Sequence, residues 1–267
     1  MAPLTTLPEL LTFSLLLLSS WRAIHLYVKE NGPLATARII TRFHNGFYAA
    51  VSLIMLIQIL LLDFTTTTTN NGTSLPNKDD DKSSFTPRYT FHLSKFYESL
   101  DILLLSAAGI PISNPLAFHH LTTPYLTYIR YIAHHRGWRP FALTNNFHHV
   151  LVYTFFASPR GGRASARLRL LVPFTGVLQL IVSVWVDLNV GLDKYHAYYP
   201  LETKSKAEAG SGGEEPYWPN LVSLALVGAY FVLFFQGFGW RVPVKMALWG
   251  ALLGILLGGR WLAGCSV

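Results

Sequence analysis

Five stretches of this chain, near residues 8–28, 43–63, 141–158, 170–190 and 218–238, each approach the about 20 apolar residues that an α-helix needs to cross the hydrocarbon core of a bilayer. Backbone placed in that core must satisfy its own hydrogen bonds, which confines such stretches to helices. Composition agrees, because 51% hydrophobic and 13% charged residues with a mean hydropathy of +0.33 are too apolar for an ordinary soluble domain of 267 residues. Two further stretches, near 97–113 and 115–133, are shorter or more polar and read as helices facing a protein interior. The expectation is an all-α polytopic membrane protein of about seven transmembrane helices in a single domain over 1–267. The first apolar stretch runs into Trp21-Arg22 without a small-residue cleavage site, so it is read as a retained helix.

A net charge of +7 and a pI near 9.5 raise the possibility of nucleic acid, but the basic residues are sorted by side of the membrane and not gathered on one face. Arg22, Lys29, Arg38 and Arg42, then Arg160, Arg163, Arg167 and Arg169, then Arg241 and Lys245, face only Glu30 among acids in their segments. Those segments are expected in the cytosol. The loops 64–94 and 191–217 mix lysines with Asp79, Asp80, Asp81, Glu202, Glu208, Glu214 and Glu215 and are expected to be polar and lumenal, with a lumenal N-terminus. Asn71 opens an Asn-Gly-Thr sequon in the first of them, a candidate glycosylation site. Residues 243–264 are apolar enough for an additional span or an interfacial helix.

Polar side chains inside apolar helices are costly, so each needs a reason. In KFYESLDILLL, Lys95, Glu98 and Asp101 recur every third residue and share one helical face. His119 and His120 stand together in NPLAFHHLTTP. In TNNFHHVLVYTFF, Asn145, His149 and Tyr153 are spaced i, i+4, i+8, which aligns them, while His148 is rotated by about 100°. The bland alternatives are a helix-end ion pair, a structural histidine and an interhelical hydrogen-bond network. The doublet His134-His135 falls in a short connection and is read as surface.

Three histidine doublets raise the question of a metal, as in membrane di-iron oxidases. Neither an HxxxH nor an HxxHH spacing occurs, and adjacent histidines on a regular helix diverge by about 100°, so no metal is expected.

The boxes do resemble those of the fatty-acid elongase family, the membrane 3-ketoacyl-CoA synthases of the endoplasmic reticulum. KFYESLDI is similar to KxxExxDT, with Ile102 for Thr. LAFHH is similar to HxxHH, with Leu116 for the first histidine. NNFHHVLVYTFF is similar to NxxxHxxMYxYY, keeping Asn145, His149 and Tyr153, with Val152, Phe155 and Phe156 at the remaining motif positions. PFTGVLQLIVSV resembles a TxxQxxQ box, with Gln179 four residues after Thr175 and no second glutamine. FHNGFYAAVSLIMLI, with His44-Asn45, resembles the second helix of fungal members, and GAYFVLFFQGF the last helix. The boxes follow family order over roughly residues 37–240.

The resemblance implies helices 2–7 arranged as a barrel around an acyl tunnel. It also implies condensation of acyl-CoA with malonyl-CoA, releasing CO2 and CoA, with no cofactor beyond these substrates. The only cysteine, Cys265, lies outside the boxes, so the acyl carrier would be an imidazole, His119 or His149, the other exchanging protons, with His120 and Asn145 completing the catalytic set. Lys95, Glu98, Asp101, Tyr153 and Gln179 would shape the substrate site, and Arg160 and Arg163 would attract CoA phosphates. The implied partners are the bilayer, the reductases and dehydratase of the cycle, and a further copy of the chain. Two rival readings are a catalytically impaired lipid-binding relative and a metal-dependent lipid oxidase.

Overall fold

Glu9 reaches back to accept the backbone N–H of Thr6 at 2.9 Å, and with Pro8 in the first turn this starts the first helix. The computed structural model describes residues 3–69, 78–132, 138–158, 163–198 and 218–238. These form α1 (Leu7–Asn31), α2 (Ala37–Thr69), α3 (Lys78–Glu98), α4 (Leu100–Ala107), α5 (Asn114–Ile132), α6 (Trp138–Ala157), α7 (Arg163–Tyr198) and α8 (Trp218–Phe238), with no strand among the described residues. Ser99 alone separates α3 from α4, so the pair makes one broken rod and the described chain has seven rods.

The rods close a ring. α2 packs on α6, α6 on α7, α7 on α8, α8 on α5, α5 on α3, and α3 returns to α2. One apolar cluster draws on all six: Ile59, Phe91, Leu126, Phe141, Leu180 and Val227 each come from a different helix. α1 stands outside against α4 and α5, and only 6% of its apolar window is buried, against 33–39% for the other apolar spans. Leu15, Leu16, Ile39 and Phe43 point outward from α1 and α2, as a lipid-facing surface requires.

Among the described residues, four helices are long and apolar enough to cross a membrane: Leu7–Asn31, Ala37–Leu61, Leu171–Asn189 and Trp218–Gln236. The all-α polytopic architecture stands. α6, expected among the apolar spans, joins α3 and α5 as a polar-lined wall of the ring, because Asn145, Asn146 and His149 are buried on it.

The connection around the first polar loop is corrected. Residues 64–94 are not a continuous loop: α2 continues to Thr69 and α3 begins at Lys78. Lys, Asp and Ser tolerate a helix, and α3 gains tertiary anchors further along, where Arg88, Phe91 and His92 are buried. His92 lies 2.8 Å from Thr127 Oγ1 on one side and 2.8 Å from the Leu4 carbonyl on the other, so α3 also fixes the segment before α1. Likewise α7 runs from Arg163 to Tyr198, so part of the 191–217 loop is helical. Asn71, His134, His135, Arg160, Cys265 and residues 243–264 lie outside the described residues, as does the side chain of Arg163.

At the opposite end of the ring from the α1–α2 turn, Arg130 of α5 donates to Asp187 of α7 at 2.8 Å, and Ser223 of α8 donates to the same oxygen at 2.7 Å. The Arg130 guanidinium lies 4.0 Å from the Phe141 ring centroid of α6. Four helices of the ring are thereby tied through one buried ion pair.

Candidate active site

Pro124 sits inside α5 and has no N–H, so the carbonyl of His120, four residues earlier, loses its helical partner. The hydroxyl of Ser99 donates to that carbonyl at 3.0 Å. The break between α3 and α4 is thereby docked on the histidine doublet, which brings Glu98 and Asp101 to it from either side of Ser99.

Glu98 is the centre of the cluster. Its Oε2 accepts from Lys95 Nζ at 2.9 Å and from the Tyr48 hydroxyl at 3.1 Å. Its Oε1 faces three imidazoles, with His119 Nε2 at 3.4 Å, His149 Nε2 at 3.6 Å and His120 Nδ1 at 3.9 Å. Lys95 also donates to Asn145 Oδ1 at 2.6 Å, and Asn145 Nδ2 donates to Gln179 Oε1 at 2.9 Å. A charge buried in a bilayer requires partners of this kind, and Lys95 and Glu98 are 1% and 2% exposed.

A donor faces each nitrogen of His149. Lys95 Nζ lies 3.5 Å from Nδ1 and Asn145 Nδ2 3.3 Å from Nε2, so a neutral ring accepts from one of them and turns its hydrogen toward the other. In the tautomer that accepts from the Lys95 ammonium, Nε2 carries the hydrogen, with Glu98 Oε1 3.6 Å away. His119 is oriented in the same sense, with Nε2 toward Glu98. Its side chain is 29% exposed, and among the described residues no hydrogen bond occupies its Nδ1. Tyr230 packs edge-on against it at 5.0 Å.

One atom each from Glu98, His119 and His149 lies within 4.8 Å of the others, a spacing that a metal ion accepts. The donor set is adverse to one. The Lys95 ammonium already holds the other oxygen of Glu98 at 2.9 Å and stands 3.5 Å from His149 Nδ1, so a metal cation here would face a like charge.

Asp101 belongs to a second group one turn away. It accepts from the Tyr153 hydroxyl at 2.5 Å, contacts His44 Nε2 at 2.7 Å and lies 3.6 Å from His120 Nε2. It also lines a cavity of about 690 Å³ whose wall includes Arg38, Arg42, Asn45, Leu116 and Arg169. The cavity opens at the α1–α2, α4–α5 and α6–α7 ends, the side expected to be cytosolic from its arginines. Leu116, at the first position of the HxxHH-like box, lines this cavity and is not among the groups around Glu98, so the cluster is assembled without an imidazole there.

His119, His120, His149, Asn145, Lys95, Glu98 and Gln179 are thus brought together, with Asp101 and Tyr153 adjacent. Arg160 and Arg163 have no described side chain, whereas Arg38, Arg42 and Arg169 are on the cavity wall. Sequence reasoning missed Tyr48 and the roles of His44 and Tyr230. His44 and Tyr48 are spaced i, i+4 in an apolar helix, which is the signal that would have found them. His148 turns to α7 instead, 2.9 Å from Thr175 Oγ1.

No curated protein matches the chain. The sequence model of the ELO family, described as the GNS1/SUR4 family, matches residues 3–240, the span that carries the whole helix ring and every residue of this cluster. The chain therefore belongs to the ELO family and is a multi-pass, elongase-type membrane protein of fatty-acid elongation.

Proposed function

We propose that this protein is a very-long-chain 3-ketoacyl-CoA synthase that condenses acyl-CoA with malonyl-CoA through an acyl-histidine. The observation that carries this reading is the convergence of His119 and His149 on one oxygen of Glu98, at 3.4 and 3.6 Å, beside a cavity lined by three arginines. Family membership supplies the substrate class, acyl-CoA thioesters.

His119 is the acylated residue in this scheme. With Nε2–H directed at Glu98, its Nδ1 lone pair is available to a thioester carbonyl. His149, in its Nε2–H tautomer, donates that hydrogen to the departing sulfur, giving CoASH. The hydrogen of His119 refills it through Glu98 Oε1, which faces both rings. Lys95 pairs with Glu98 between them and holds Asn145 in place. Malonyl-CoA then loses CO2, and the resulting enolate attacks the acyl-imidazole to give the 3-ketoacyl-CoA. Arg38, Arg42 and Arg169, with Arg160 and Arg163 nearby in sequence, hold the CoA phosphates at the mouth. The protein resides in the endoplasmic reticulum membrane with a lumenal N-terminus, hands its product to the reductases and dehydratase of the cycle, and needs no cofactor.

The test is a half-reaction. Purified protein given acyl-CoA alone releases one equivalent of CoA and gains one acyl group on His119, read by intact mass and peptide mapping. His119→Ala abolishes the adduct. A wild-type protein that releases no CoA and carries no adduct would count for a lipid-binding relative. Activity lost to chelator and restored by iron would count for an oxidase.

A further inference from the structure

The two carboxylates of the site sit on either side of one imidazole. His120 presents Nδ1 to Glu98 Oε1 at 3.9 Å and Nε2 to Asp101 Oδ2 at 3.6 Å, both beyond hydrogen-bonding distance. The ring is 3% exposed, and among the described residues its Nδ1 has no hydrogen-bond partner. Its backbone is pinned by Ser99. Glu98 is sealed in the ring, whereas Asp101 is 13% exposed and lines the mouth cavity. The other charged or titratable groups facing this pair are Lys95, Tyr48, His119 and His149 at Glu98 and His44 and Tyr153 at Asp101, with the His119 ring also 5.4 Å from the His120 ring. Among the described residues, His120 is therefore the one imidazole that faces both the sealed carboxylate and the one at the mouth.

The condensation creates a need for such a bridge. Acylation is proton-neutral, since the hydrogen of His119 leaves with CoASH. In the second half-reaction the malonyl C–CO2 bond breaks to release CO2, the electron pair forms the new C–C bond, and the acyl–nitrogen bond breaks onto imidazole. His119 is then an imidazolate and must take up one proton, and neither CO2 nor the enolate carries one.

We infer that His120 is the proton relay that resets His119, carrying one proton per turnover from the aqueous mouth at Asp101 to Glu98. Asp101 protonates Nε2, Nδ1 yields its hydrogen to Glu98, Glu98 passes it to His119 Nε2, and the ring turns back while the mouth reprotonates Asp101. This rests on the acyl-histidine reading, and it makes His120 a relay residue and not an acyl carrier.

The experiment separates the half-reactions. Wild-type protein and His120→Gln are each acylated with acyl-CoA, freed of CoA by gel filtration, and chased with malonyl-CoA in H2O and in D2O. His120→Gln is expected to acylate within about twofold of wild type and to discharge at least about tenfold more slowly, with a larger solvent deuterium effect on the chase. Asp101→Asn is expected to slow the chase at least about tenfold as well. Acylation is itself the measure that the variant is folded. A His120→Gln chase at the wild-type rate overturns the relay, and so does an equal slowing of both halves, which marks a structural role. A wild-type protein that never acylates overturns the acyl-histidine reading and the relay with it.

Discussion

The hydroxyl of Ser99 donates to the carbonyl of His120 at 3.0 Å, and that carbonyl is the one Pro124 leaves without a helical donor. The contact joins the α3–α4 break to the histidine doublet and is fully buried. Ser99→Ala leaves a carbonyl unsatisfied and is expected to cost about 1–3 kcal/mol of stability. Ser99→Thr keeps the donor and is expected to retain most of it. Thermal unfolding in detergent distinguishes the two; equal melting temperatures would remove the contact from the list of what docks the two helices.

Lys95 and Glu98 bring opposite consequences for stability and chemistry. Glu98→Gln strands an ammonium that is 1% exposed, and breaking a buried pair in this way costs about 3–5 kcal/mol. Lys95→Met with Glu98→Gln removes both charges, so stability is expected to recover while acylation stays depressed by about 10²–10⁴-fold. A double variant that acylates at the wild-type rate would place the chemistry elsewhere.

Arg130 and Asp187 make the same test far from the histidines. Asp187→Asn orphans the guanidinium and is expected to lower stability by about 3–5 kcal/mol, whereas Ser223→Ala removes one hydrogen bond to a charge and costs about 1.5–3 kcal/mol. Acylation per folded molecule is expected to be unchanged in Ser223→Ala. The order of melting temperatures, wild type above Ser223→Ala above Asp187→Asn, is the check.

How much of this was legible in the sequence follows from the cost of polarity in lipid. Lys95, Glu98, Asn145 and His149 announced themselves because no apolar helix carries such groups without partners. Their helical spacing then told which of them align. His44 and Tyr48 carried the same signal, but single polar residues in a long apolar helix read as tolerable. The Arg130–Asp187 pair was invisible, since its members lie 57 residues apart and only the closure of the ring joins them. The start of α3 at Lys78 was hidden for a different reason. Its composition is that of a solvated loop, and its helicity is underwritten by the contacts of Arg88, Phe91 and His92 further along. The arginines of the mouth could be assigned to a side of the membrane by charge, but which of them line a cavity depends on how α2 and α7 converge.

Those arginines supply a binding prediction. Arg38, Arg42 and Arg169 line the cavity and lie outside the Glu98 cluster, so they act alike on ground state and transition state. Each Arg→Ala change is expected to raise KM for acyl-CoA about ten- to hundredfold, the worth of one lost hydrogen bond to a charge, with kcat nearly constant. The effect shrinks with added salt, since the cavity is open to solvent. A fall in kcat at constant KM would move these residues from substrate capture to the chemistry.

Two glycines of the ring wall offer a paired test of how tightly α6, α7 and α8 meet. A Cβ built on Gly176 would lie 3.0 and 3.1 Å from the edge of the Phe234 ring and 3.4 Å from His148, whereas nothing lies within 4 Å of a Cβ on Gly228. Both positions are helical, so Ala in place of Gly gains about 0.5–1 kcal/mol of backbone preference at each. At Gly228 that gain is expected to appear in full as a higher melting temperature. At Gly176 the ring and the imidazole must give way by a few tenths of an ångström, and overpacking of this kind costs about 1–3 kcal/mol, more than the gain. Gly176→Ala is therefore expected to melt below wild type and to disturb the His148–Thr175 contact next to it. If Gly176→Ala and Gly228→Ala stabilise equally, the α6–α7–α8 seam has slack at Phe234 that the present packing does not show.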